Sequence, residues 1–406
     1  MKIAYREIAG SGPGFYALLG VLGLFVLFAL ASAHYMEEHG HIVTGMTNHI
    51  VWGTPHVFAV FLIVAASGAL NVASIASVFG KAAYKPLAPL SGLLAIALLA
   101  GGLAVLLLDL GRPERLIVAM TEYNFKSIFA WNIFLYTGFF AIVAVYLWTM
   151  LERRMNVFTK PAGFVAFVWR LMLTTGTGSI FGFLVSRQAY DTALLAPMFI
   201  IMSFSYGLAI YILVVSAAFR WSGRELGDAV VLRLKSLLAV FIAAVLYFVA
   251  VYHLTNLYLA KRHGIENFIL LDGGIYTTLF WVGQILLGGI VPLVILFHPR
   301  LGVSRFWIAL SSLLVILGGI AQMYVTIIGS QAYPLVLFPG MQESSSFHDG
   351  AVHNYAPSLP EVMLGLGGIA VAGLIVAIGV KFLRFIPENL DNSAVAALES
   401  TAPVQG

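Results

Sequence analysis

The feature that most constrains this chain is the recurrence of continuous apolar runs, about ten of them and each roughly 20 residues long. A helix rises about 1.5 Å per residue, so each run matches the roughly 30 Å hydrocarbon core of a bilayer. Backbone N–H and C=O groups find no water there, which leaves helices or a closed barrel. The runs lack period-2 alternation, and that selects helices. Only 10% of residues are charged, against about 25% in a soluble domain. The expected fold is an all-α integral membrane protein, a bundle of about ten transmembrane helices within residues 1–386. Residues 387–406 read as a disordered C-terminal tail.

The runs fall at 14–36, 52–79, 87–108, 127–150, 162–185, 194–219, 236–260, 274–298, 304–329 and 359–383. The first ends in Ala31-Ser32-Ala33, which resembles a signal-peptidase site, but the run is long for a signal peptide and is expected to stay. Both termini and the loops after even-numbered runs hold 15 Lys and Arg. The loops after odd-numbered runs hold 6, and Arg170 lies inside the fifth run. The positive-inside rule then puts both termini in the cytoplasm, with the chain in the inner membrane. The formal charge of +4 is read as these topology anchors, not as a nucleic-acid surface. Cys is absent, so an iron–sulfur cluster held by thiolates or a covalent haem c would belong to another subunit.

Polar residues gather at the outer ends of the runs. The second brings His56, the third Asp109 and Arg112, and the fourth Asn132. The fifth ends near Arg187, the seventh carries His253 and Asn256, the ninth Gln322, and the tenth opens with Glu361. Ionisable groups this close to hydrocarbon are costly and usually face the bundle interior or a water-filled pocket. Local explanations stand beside this one. Asp109 and Arg112, three apart, can pair and cap the third helix. His253 can be a hydrogen-bonded core residue, and Gln322 can bond a neighbouring helix. His39, His41 and His49 lie in a loop without H-x-x-x-H spacing and read as solvated, so no metal site is expected. Arg170, about two turns inside the fifth helix, is a candidate for a proton or substrate path.

Apolar walls and aromatics mixed with His, carboxylate, Asn and Tyr suit a quinone, menaquinone or ubiquinone. Its carbonyls accept hydrogen bonds, and its redox chemistry needs proton donors and acceptors. His56 and Asp109 are the candidate proton partners, with Arg112 orienting Asp109 or stabilising a reduced anion. His56, Asn132, Arg187, His253, Gln322 and Glu361 are the candidate pocket residues. Haem b held by His56 and His253 is a rival, and an ion- or proton-translocating subunit another.

Trp52-Gly53-Thr54-Pro55-His56, running into Gly68, resembles the first conserved helix of the NrfD/polysulfide reductase membrane-subunit family. Asp109-Leu110-Gly111-Arg112-Pro113, with Asn124 and Ser127, is similar to that family's signature between core helices. Gln331-Ala332-Tyr333-Pro334 through Phe338-Pro339-Gly340, and Tyr355-Ala356-Pro357-Ser358-Leu359-Pro360-Glu361, resemble its ten-helix branch. That branch includes subunits of alternative complex III and of the sulfite-reductase-associated transmembrane complex, and the likeness is greatest to the latter, the DsrP group. The resemblance spans residues 14–386. It implies a quinone-reacting subunit under a periplasmic, ferredoxin-like iron–sulfur subunit, often with a multihaem cytochrome c, and often without haem of its own. In the polysulfide reductase relative a histidine and an asparagine contact the quinone. His56 matches the histidine within one position, while Thr54 or Pro55 falls where the asparagine stands. The loop 330–358, long and aromatic, is expected to form the partner's docking surface.

Overall fold

A computed structural model describes residues 4–335, 338, 341 and 350–400. Among them, ten helices are long and apolar enough to cross a membrane. They are α1 (Pro13–His39), α2 (Thr54–Ser77), α3 (Ala82–Leu108), α4 (Ile128–Leu151), α5 (Thr159–Gly182), α6 (Leu195–Ser222), α7 (Asp228–Tyr258), α8 (Ile275–Phe297), α9 (Arg305–Ala332) and α10 (Leu359–Phe382). The chain is an all-α integral membrane protein. Helix ends follow the apolar runs closely except in α7, which begins at Asp228 and not at 236. A helix need not stop at the hydrocarbon boundary, and the extra turns carry Arg233 into an ion pair with Glu399.

α2 is the central helix, packed against α3, α5, α6, α9 and α10 and buried on nearly every side. Its crossing with α6 depends on glycine. A Cβ on Gly68 would sit 1.6 Å from the Ser203 carbonyl oxygen, and one on Gly207 2.2 Å from the Ala69 nitrogen. Without Cβ atoms the two backbones touch, which supplies the close packing that membrane helices need. α2 breaks at Leu70. Arg170 occupies the break, donating to the Ser67 carbonyl at 3.1 Å and to Asn71 Oδ1 at 2.7 Å, between the rings of Phe167 and Phe204. Its contacts are those of a fastener between α5 and α2.

α1 packs chiefly on α10 and leaves most of its surface outward. Between α1, α10, α6 and α9 a cleft of about 1400 Å³ opens at the end of the bundle that carries the termini, reaching Phe61 and Leu62 at its far end. It therefore lies away from Asp109.

Strands β1 (Tyr5–Arg6) and β2 (Ile386–Pro387) pair antiparallel, with Tyr5 opposite Pro387, so both termini lie on one face, here the terminal face. The other is the distal face. The tail expected to be disordered from 387 is ordered through Ser400, while 401–406 fall outside the described residues. Helix α11 (Asn392–Ser400) buries Ala394 and Val395, and Leu390 is buried beside it. Gly227 N donates to the Leu390 carbonyl, and Arg233 holds Glu399 through both guanidinium nitrogens. A segment with few apolar residues is ordered because a prepared surface receives them. Of the loop expected to dock a partner, 330–358, residues 336, 337, 339, 340 and 342–349 fall outside those described. In its described parts, His353 N donates to the Ala332 carbonyl and Tyr355 is buried.

Candidate functional site

Asp109 is where the aliphatic run of α3 ends, and its side chain is 1% exposed. It caps α3, and Gly111 then takes a φ of 69°, turning the chain off the helix axis. That left-handed turn favours glycine, and a Cβ there would also approach His41 Cε1 to 3.0 Å. The turn leaves Asp109 facing two histidines from other segments. His41, in a short helical turn after α1, donates Nε2–H to the Asp109 carbonyl at 3.1 Å and lies 3.8 Å from Oδ1. A carbonyl only accepts, so this nitrogen carries the proton. His56, in the first turn of α2, places Nδ1 3.0 Å from Oδ2.

Neither side-chain contact is aligned as a hydrogen bond, although both are within ion-pair range. Both Asp109 carboxylate oxygens and His56 Nδ1 are buried without an aligned partner. A buried polar group left in this state costs about 1–3 kcal/mol, so these atoms are set for a further donor or acceptor. Burial pushes the Asp109 carboxyl up, but the two imidazoles outweigh it and hold the group below its ordinary value. Contact with that carboxylate raises His41 above the ordinary imidazole value against the opposing effect of burial.

Around this cluster the frame is rigid. Glu361 is fully buried at the start of α10, where it forms a capping box with Ser358. Its Oε2 accepts from Gly45 N and Ser358 N, each at 2.8 Å, and Oε1 accepts the Tyr355 hydroxyl at 2.5 Å. Tyr355 in turn accepts from Thr54 N at 2.7 Å, and burial drives its phenol far above the usual range. Glu361 thus ties the loop after α1 and the first turns of α2 and α10 together, and its own oxygens are engaged. Trp52 stacks on His56 with centroids 6.1 Å apart and meets Phe181 edge-on, which walls one side with aromatic rings.

The remaining expected site residues are dispersed. Arg112 is exposed and makes no ion pair with Asp109 among the described residues, so the pairing expected to orient that carboxylate is not formed. Asn132 gives Nδ2 to the Ile128 and Gly176 carbonyls and joins α4 to α5. Arg187 donates to the carbonyls of His49, Gln331 and Tyr333, fastening loops on the distal face. Gln322 accepts the Tyr206 hydroxyl within the bundle at 2.5 Å. His253 places Nδ1 2.6 Å from Glu266 Oε2. His56 and His253, the pair considered for haem b, each turn Nδ1 to a separate carboxylate. The sequence reading took His41 as solvated, and it carried Thr54 and Tyr355 only within motifs that resemble the family's. His41 is 68 positions from its partner, and only its place in a loop free of Lys and Arg set it apart.

A family model described as polysulphide reductase, NrfD, matches residues 42–334. Over 392 residues the chain is 29% identical to the Hdr-like menaquinol oxidoreductase integral membrane subunit of Archaeoglobus fulgidus, covering 96% of this chain and 98% of the relative. It is 26% identical to a putative dimethyl sulfoxide reductase membrane subunit of Halobacterium salinarum, over 90% of each protein. A polysulfide reductase subunit of Wolinella succinogenes is 23% identical over 70% of this chain and 96% of its own length. These relatives are membrane subunits of oxidoreductase complexes, and the family match takes in both His56 and Asp109. With most of its length matched and ten membrane-crossing helices, the chain belongs to the NrfD polysulphide reductase family.

Proposed function

We propose that this chain is the quinone-reactive membrane subunit of a respiratory oxidoreductase complex of the inner membrane, and that His41, Asp109 and His56 exchange protons with the quinone. The observation that carries this reading is the buried Asp109 carboxylate and His56 Nδ1, both without aligned partners, at the membrane end of α3. A quinol hydroxyl donating to Asp109, or an imidazole N–H donating to a quinone carbonyl, supplies what these atoms lack. Quinol oxidation releases two electrons and two protons, and reduction takes them up. One carboxylate and two imidazoles can hold those protons at Asp109 Oδ1 or Oδ2 and at the histidine nitrogens. Trp52 and Phe181, packed edge-on, line one side with aromatic surface against which a ring can lie.

The electrons go to a centre outside this chain, which has no Cys to hold a cluster. We assign that centre to a ferredoxin-like iron–sulfur subunit on the periplasmic side, with or without a multihaem cytochrome c beyond it. The excess of Lys and Arg on the terminal face supports a periplasmic distal face and cytoplasmic termini. The name of the Archaeoglobus relative favours menaquinone over ubiquinone. The ten helices and the Tyr355–Glu361 segment favour the branch of the sulfite-reductase-associated complex.

A photoreactive menaquinone analogue tests the site directly. Illuminated with the purified complex and mapped by mass spectrometry, it is expected to label peptides holding residues 41–56 and 105–112, with competition by unlabelled menaquinone. Labelling confined to other helices would move the site and overturn the assignment.

A further inference from the structure

We propose that a second proton-exchanging site, His253–Glu266, opens into a water-filled passage that runs from the distal side of the bundle to Tyr206. It is separate from the His56–Asp109 cluster and does not rest on the quinone reading.

The site begins with a buried carboxylate. Glu266 is 1% exposed, with Oε2 2.6 Å from His253 Nδ1 and Oε1 accepting from Asn256 Nδ2 at 2.7 Å. Arg262 does not reach it. That guanidinium donates to Asn256 Oδ1 and lies 3.5 Å from the Asp191 carboxylate. Among the described residues the imidazole is therefore the only basic side chain within ion-pair distance of Glu266. At 2.6 Å, Nδ1 and Oε2 are within hydrogen-bond distance, the geometry that passing a proton between them requires. His253 is the more accessible partner, its side chain 13% exposed against 1% for Glu266.

Beyond the pair lie two small cavities that share Gln284 and Gln322. The first is lined by His253, Phe280 and Thr326, the second by Ser205, Tyr206 and Gly288. Each has room for water centres of about 20 Å³, and a water needs roughly 10–15 Å³ and two to four polar partners. The Gln284 side chain is buried and makes no hydrogen bond to protein among the described residues, so its amide points to water for a partner. The Tyr206 hydroxyl donates to Gln322 Oε1 at 2.5 Å and ends the polar series. Ile242 and Val315 close the second cavity. The next polar groups along α9 are Ser312, which donates to the Ile308 carbonyl, and Ser311, which is buried with no partner.

The backbone gives an independent pointer to the same place. The three π-helical segments among the described residues are Phe268–Asp272, Leu279–Ile290 and Val325–Gly329. All three line these cavities, through Ile269, through Phe280 and Gln284, and through Val325 and Thr326. π-turns are rare, widen a helix and are frequent at functional sites. Three converging on one cavity are hard to attribute to packing.

The absence of native Cys allows a clean test. Single cysteines at Thr326→Cys, Gln284→Cys and Ser205→Cys are exposed to Ag⁺ in nanodiscs, and the remaining thiols are then counted with a fluorescent maleimide in denaturant. Val282→Cys and Leu313→Cys, on outward surfaces, serve as controls. The passage predicts Ag⁺ protection at least tenfold faster at the three interior positions than at the controls. Equal or slower rates would overturn it. The pair itself is followed by infrared titration from pH 4 to 9. A titrating band present in the native chain and in Asp109→Asn is expected to vanish in Glu266→Gln, which keeps an acceptor for Asn256. A Glu266→Asp variant, expected to shift the band, guards against misfolding of Glu266→Gln. Identical difference spectra for the native chain and both Glu266 variants would refute the exchange site.

Discussion

Asp109→Asn is the sharpest perturbation of the proposed quinone site. Asparagine keeps the volume and an oxygen beside His56 Nδ1, 3.0 Å away in the native chain, while removing the charge and the proton acceptor. The His41 Nε2 bond runs to the main-chain carbonyl and survives the change. Loss of a positioned acid–base group costs about 10²–10⁴-fold in rate, equivalent to roughly 3–5 kcal/mol of barrier at about 1.4 kcal/mol per decade. Folding should change less, because the desolvation penalty that the amide avoids partly offsets the attraction to the imidazoles that it loses. The assay is menaquinol oxidation by the assembled complex, followed at the quinone absorbance across pH, with complex assembly checked by size-exclusion chromatography. The expected result is a fall in kcat of about 100-fold or more with assembly intact, and a flattened acid limb of the pH profile. A rate within threefold of the native complex, with an unchanged profile, would refute a proton-transfer role for Asp109.

Stability should follow pH through the same cluster. His41 is raised above 6.5, so its contribution is full below that value and fades as pH climbs through the raised value. Asp109 is lowered below 3.8, so its contribution is present above that value and fades as pH falls through the lowered one. The melting-temperature gap between the native chain and His41→Gln should therefore be widest between pH 3.8 and 6.5 and narrow at alkaline pH; a gap that widens there contradicts the pairing. Glu361→Ala strips the acceptor from Gly45 N, Ser358 N and the Tyr355 hydroxyl. At about 1–3 kcal/mol for each orphaned donor, Tm should drop well beyond that of Glu361→Gln, and equal drops would show the clamp to be unimportant. Gly68→Ala must separate α2 from α6, whereas Gly20→Ala on α1 meets open space. Thermal unfolding should show a loss of about 1–3 kcal/mol or more for the first, and little change or a slight gain for the second.

The ten spans are legible because an apolar run of bilayer length is a local signal that needs no partner. What composition and spacing miss is everything settled by distant contacts. The tail reads as disordered on composition, yet Glu399 meets Arg233 across 166 positions of sequence. The site shows the same limit in finer form. Pairing Asp109 with Arg112 assumes that α3 continues for another turn. Gly111 ends it in a left-handed turn, and Arg112 leaves the face while His41 and His56 arrive from elsewhere. Gly111 before Arg112-Pro113 is the visible warning, since glycine commonly closes a helix and proline follows. Topology also puts His56, Asp109, Asn132, His253, Gln322 and Glu361 near one face, but shared depth is not proximity. Depth is a coordinate along the membrane normal, and a bundle has two more. In a soluble helix an amphipathic stripe reports which side faces the core. Here α2, α3, α4 and α10 are apolar all round, with no such stripe. Nothing in their sequence says which neighbour each side meets, and so nothing divides the polar groups at one depth into those around Asp109 and those around Glu266.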